Sequence, residues 1–83
     1  MTYYVYIIFA GQFDKFYIGQ TSDLNNRLLL HNSRKVPSTA PFVPWELVGV
    51  IKKQSRAEAM ALEKKLKNLN RQRLKIFIEK YLK

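Results

Sequence analysis

Five side chains in this sequence have types that could carry polar chemistry: Tyr6, Tyr17, Arg27, His31 and Glu63. Arg27 and His31 stand four residues apart in Leu24-Asn25-Asn26-Arg27-Leu28-Leu29-Leu30-His31. On a helix both project from the face that carries Leu24 and Leu28, and both can point at one spot. A guanidinium on an apolar stripe needs a partner or an anion, because burying an isolated charge is very costly. The alternative is an arginine stem lying over leucines with its head in water. For His31 the alternative is a histidine satisfied near the helix C-terminus, where the dipole favours it.

The chain has 6 acidic residues, few enough to take one at a time. Asp14 falls in a hairpin loop, Asp23 in a first helical turn, Glu58 in a capping pattern, Glu46 in a strand and Glu79 late in the last helix. Glu63 has no such local role and emerges along a mainly apolar stripe between Ala59, Met60, Leu66 and Lys67. It is either a surface partner of Lys67 or a carboxylate ligand for a hard divalent cation such as magnesium. Tyr4 and Tyr6 share one face of the first strand, and Tyr17 shares a face with Gly19 on the second. Tyr6 and Tyr17 can therefore stand side by side across a hairpin. Such a pair is either cross-strand packing or a source of hydroxyls; a hydroxyl beside a water held by a metal ion can take its proton or orient it.

These residues need elements to position them. Tyr3 to Phe9 is β-branched and aromatic with no polar face, which predicts a strand covered on both sides. Gly11 to Lys15 reads as a hairpin loop into a second strand, Phe16 to Gly19. Thr21-Ser22-Asp23 supplies an N-cap oxygen and a first-turn acid for a helix running to Asn32. Pro37, Pro41 and Pro44 keep the next segment a loop until Trp45 to Ile51 forms a third strand. Ser55-Arg56-Ala57-Glu58 is a capping-box pattern that starts a helix to about Leu69. Leu74, Phe77, Ile78 and Tyr81 then give a third amphipathic helix. The expected fold is α+β: a small three-stranded, largely antiparallel sheet packed with three helices, in the order ββ-α-β-α-α.

Composition sets the outer limits. A chain of 83 residues supports one core, so a single domain over residues 1–83 is expected. There are 15 Lys and Arg, for a net charge of +9, which directs the search for partners to polyanions, most simply nucleic acid. A solvated helix face is the plain alternative for the basic second half. No cysteine is present and only 1 histidine, which excludes disulfides and thiolate metal sites and argues against zinc. The apolar start lacks the features of a signal peptide and is too short to span a bilayer, so a cytoplasmic protein with no membrane role is expected.

Taken in order, these residues resemble the GIY-YIG nuclease superfamily, specifically its small single-domain bacterial members, which are similar to the N-terminal incision domain of the excision-repair protein UvrC. Val5-Tyr6-Ile7 stands where the first motif lies, and Tyr17-Ile18-Gly19 is the second unaltered. Thr21-Ser22-Asp23-Leu24, Arg27 and His31-Asn32 follow the family signature after it. Ser38-Thr39, Pro44 to Val48 and the helix around Leu62-Glu63-Lys64-Lys65-Leu66-Lys67 complete the set. Val5 replaces the first glycine, Gln20 stands where some relatives carry lysine, and the position 12 residues after Glu63 is Lys75, where many catalytic members have asparagine; Asn68 and Asn70 are nearer.

The resemblance implies a DNA phosphodiesterase with one Mg2+ or Mn2+ ion per site, and a function in DNA repair or recombination. By it, Glu63 would hold the metal, Tyr6 with Tyr17 would activate or position water, Arg27 would stabilise charge on the phosphate, and His31 would assist proton transfer or phosphate binding. The alternative is a non-catalytic basic module that holds nucleic acid without cutting it. A chain this short reaches few base edges, so selection by DNA structure rather than sequence is expected, with a protein partner or a dimer as ways to clamp the substrate.

Overall fold

The computed structural model describes residues 1–81; the last two residues of the expected 1–83 domain lie outside the described residues. Three strands, β1 (Tyr3–Ala10), β2 (Lys15–Thr21) and β3 (Glu46–Lys53), alternate with three helices, α1 (Leu24–Asn32), α2 (Arg56–Lys67) and α3 (Arg71–Tyr81). The sheet order is β2-β1-β3, with both pairings antiparallel. The expected α+β class and element order are therefore met, and β2 and β3 each run two residues further than their patterns predicted.

Because β1 is central, it must be apolar on both faces, and Val5, Tyr6, Ile7 and Ile8 are all buried. Alternation sorts them into two cores. Val5 and Ile7 pack with Ile18 and with Ala59, Leu66, Leu74 and Ile78 of α2 and α3. On the opposite face Tyr6, Ile8 and Ala10 pack with Trp45, flanked by Tyr17 and by Leu24 and Leu28 of α1. The register slips between Ile7 and Ile8, which pair with Gly49 and Leu47, leaving Val48 as a bulge in β3.

The helix starts show local chemistry at work. Asp23 itself caps α1, its carboxylate accepting from Asn26 N, so it is the cap and not the first-turn acid that the sequence predicted. Thr21 supports the cap by accepting from Asp23 N at 3.0 Å. Ser55 caps α2 through Glu58 N as expected, and Asn70 Oδ1 accepts from Arg73 N at 2.8 Å at the start of α3. The proline segment contains a short 3-10 turn, Ala40–Phe42, where a plain loop was expected. Arg71 pairs with Asp14 and lies over the Phe16 ring, fastening α3 to the β1–β2 hairpin.

Candidate active site

Tyr6 and Tyr17 both face α1, but diagonally: Tyr6 pairs directly with Gly19, and Tyr17 with Ile8. Their ring centres are 6.5 Å apart, within reach of long side chains across a diagonal. The space between is set by Gly19, whose φ is not positive; it is needed here for room. A Cβ built on Gly19 would lie 2.6 Å from Tyr6 Cζ and in hard contact with the hydroxyl. The tyrosine ring is rigid, buried and hydrogen-bonded, so it has nowhere to yield. Gly19→Ala is expected to destabilise the fold by roughly 1–3 kcal/mol and to displace the Tyr6 hydroxyl, which urea denaturation together with the phenol titration of Tyr6 would register.

Beneath Tyr6, α1 delivers His31 into the interior with 0% exposure. Its Nε2 lies 2.8 Å from Tyr6 Oη, and its Nδ1 lies 2.8 Å from Thr39 Oγ1. Thr39 donates its own hydroxyl proton to the Val36 carbonyl at 3.3 Å. That direction leaves Thr39 Oγ1 to accept, which assigns the His31 proton to Nδ1 and leaves Nε2 to accept from Tyr6. The chain of donors runs Tyr6 to His31 to Thr39 to the backbone. Both His31 nitrogens are therefore engaged in the interior, one with Tyr6 and one with Thr39.

The loop that carries Thr39 is locked by neighbours whose importance sequence reading missed. Asn32 accepts from Trp45 N at 2.7 Å and donates to Trp45 O at 3.1 Å, while the Trp45 indole donates to Thr39 O at 2.9 Å. Asn32 and Trp45 stood in the family signature, but only contact across 13 residues shows what they do. No buried side-chain nitrogen or oxygen among the described residues lacks a partner.

Charge in the site follows from this packing. Burial pushes the Tyr6 hydroxyl above its ordinary pKa, opposed by hydrogen bonding from the Arg27 guanidinium, so Tyr6 holds its proton at neutral pH. The Arg27 pKa is raised in turn, chiefly by the Tyr6 hydrogen bond and against its own partial burial. Among the described residues Arg27 is in no ion pair; its guanidinium meets neutral tyrosine hydroxyls. The stem-over-leucine reading is thus only half of the picture, because the head is turned into the site.

Burial first, and the Arg27 charge second, push the His31 imidazole below its usual value of 6.5. The folded protein therefore binds fewer protons than the unfolded chain as pH falls through that value, and stability rises with pH there. The contribution is fully present above about pH 6.5 and is lost as pH falls toward the lowered pKa. A urea midpoint followed from about pH 7.5 to about pH 5 is expected to drop on the acid side; a flat midpoint would remove this assignment.

Glu63 reaches the cluster from the other side of the sheet. α2 packs on the face opposite α1, but β2 is an edge strand, so side chains of α2 can pass it toward the tyrosines. The Glu63 carboxylate is close enough to raise the Tyr6 pKa, and its Oε2 lies 2.7 Å from Lys67 Nζ. Lys67 Nζ is in turn 6.0 Å from the centre of the Tyr17 ring. The surface pair expected for Glu63 forms, and it forms beside the Tyr17 ring.

Among the described residues no group of three His, Cys, Asp or Glu side chains surrounds a common point. That excludes an all-protein metal cage there. The 21% exposed Glu63 carboxylate fits magnesium or manganese, which keep several waters and take remaining oxygens from substrate phosphates. Lys75, which stands where an asparagine was considered, lines a groove of about 420 Å3 with Phe9, Phe16 and Val48, and Asn70 is occupied as a helix cap. Neither adds a ligand to Glu63.

A central strand with helices on both faces, and Tyr17-Ile18-Gly19 beside Tyr6, form a nuclease-type fold. The model of the GIY-YIG catalytic domain matches residues 2–76, and the chain belongs to the GIY-YIG family. Domains of this family generally depend on a divalent metal. The chain is also similar to a UPF0213 protein from Bacillus halodurans, known from a solution NMR structure, with 31% identity, a TM-score of 0.63, and coverage of 95% of this chain and 84% of that one. No curated protein matches the chain. No helix among the described residues is long and apolar enough to cross a membrane.

Proposed function

We propose that this protein is a metal-dependent DNA endonuclease, acting by DNA structure in repair or recombination within the bacterial cytoplasm. The observation that carries the reading is Arg27: a half-buried arginine in no ion pair among the described residues, set against two tyrosine hydroxyls beside a buried histidine. A phosphodiester supplies the anion that this arrangement lacks. The net charge of +9 draws DNA to the domain at long range.

Glu63 is the residue that would hold Mg2+ or Mn2+, which would supply Lewis-acid stabilisation of charge developing on the phosphate. Tyr6 manages the proton of the attacking water. As its own proton passes to His31 Nε2, the Tyr6 oxygen accepts the proton leaving the water. His31 remains held by Nδ1–H to Thr39, and the imidazolium so formed is disfavoured by burial and by Arg27. It therefore returns the proton readily, through Tyr6, once the leaving oxygen has departed. Arg27 binds the phosphate oxygens, and Tyr17 closes the side of the cleft nearest β2.

The test is cleavage of duplex, single-stranded and branched DNA by the full chain with magnesium, manganese or chelator. Products that require the metal support the reading. Salt-sensitive binding to every DNA, with no product in either metal, would overturn it in favour of a module that holds nucleic acid without cutting it.

A further inference from the structure

Lys67 stands where a single cation can serve both Glu63 and the tyrosine cleft. Its ammonium is 2.7 Å from the Glu63 carboxylate and 6.0 Å from the Tyr17 ring centre. Glutamate followed four residues later by lysine is an ordinary stabilising pair on a helix. Pairing alone does not account for the tyrosine. An ammonium at the β2 edge, over Tyr17, faces the space in which a phosphate held by Arg27 would lie. Its side chain is 50% exposed, so it is free to change partners, and its flexible stem allows this without moving the helix.

We propose that Lys67 is a substrate-binding residue that reserves Glu63. In the free protein its ammonium neutralises the carboxylate; when DNA arrives it transfers to a phosphate oxygen and leaves Glu63 open to the divalent cation. The proposal rests on Glu63 being the metal ligand. Two consequences follow from charge alone. Without DNA the protein binds metal weakly, because ammonium and dication compete for the same oxygens and repel each other at close range. With DNA bound the affinity for metal rises, and by linkage metal raises the affinity for DNA by the same factor.

Mn2+ binding to the full chain, followed by electron paramagnetic resonance with and without a non-cleaved duplex, tests this together with duplex binding across a salt series. Lys67→Met is expected to tighten Mn2+ binding about 3–10-fold in the absence of DNA. It should also weaken duplex binding, reduce the salt dependence by about one counterion, and abolish the tightening that DNA produces. Lys64→Met removes the same charge from an exposed position on α2 and is expected to change Mn2+ affinity less than about twofold. Lys67→Arg preserves the pair and should behave as wild type toward Mn2+, which guards against a misfolded methionine variant.

Unchanged Mn2+ affinity in Lys67→Met, or an equal shift in Lys64→Met, would overturn the proposal while leaving the nuclease reading intact. Failure of that reading has a separate signature: Mn2+ binding that Glu63→Gln does not weaken.

Discussion

Glu63→Gln is expected to lower metal-dependent DNA cleavage by about a thousandfold or more, with duplex affinity measured in chelator held within about twofold. The amide keeps the shape of the side chain but offers a neutral, weaker oxygen to a hard cation. Among the described residues no group of three His, Cys, Asp or Glu side chains surrounds a common point, so no such cluster is there to compensate. The substitution also frees Lys67, whose ammonium then lies beside the cleft without its partner. That change favours DNA binding, so a loss of cleavage cannot be traced to a failure to bind. Gel-shift titration and single-turnover cleavage of the same substrate separate the two quantities. Cleavage within about tenfold of wild type would show that Glu63 is only the surface partner of Lys67.

Arg27→Ala is the second large effect, a loss of about 100- to 1000-fold in cleavage, in the range found when one preorganised donor to a developing charge is removed. Three consequences of one residue come apart here. The phosphate loses its guanidinium, the Tyr6 oxygen loses a hydrogen-bond donor, and His31 loses the positive neighbour that helps keep it neutral. The last of these can be read independently. Removing the Arg27 charge lets the His31 pKa rise toward its ordinary value, so the acid limb of the residual activity moves to higher pH. An unmoved limb would separate Arg27 from the His31 network. Global stability should change by no more than about 1 kcal/mol, since Arg27 is half-buried and in no ion pair among the described residues.

How much of this was legible beforehand depends on the distance over which each feature is decided. The cap at Ser55 and the helix of Arg27 and His31 were readable because they follow from contacts within one turn, whereas Asp23, expected in the first turn of α1, proved to be its cap. Boundaries were less so: β2 continues through Gln20 and Thr21, polar residues that pair with Val5 and Tyr4 because the neighbouring strand is already there. Tyr6 and Tyr17 were placed on one face by period-two alternation, yet alternation says nothing about register. Pairing of Tyr6 with Gly19 made their contact diagonal and gave the glycine its role.

Sequence alone determined the fold class and the excess of positive charge, because composition and short-range periodicity express themselves locally. Only the tertiary structure decided which partners each of these residues meets. His31 became an interior hydrogen-bonded residue because Tyr6, 25 residues away, and Thr39, 8 residues away, close on its two nitrogens. Glu63 and Lys67 formed the surface pair that their spacing predicts, and the same pair came to the tyrosine cleft because α2 lies against an edge strand that leaves the way open. The physical reason is common to both: a polar group's role is set by the partner that satisfies it, and in this fold those partners arrive from other elements.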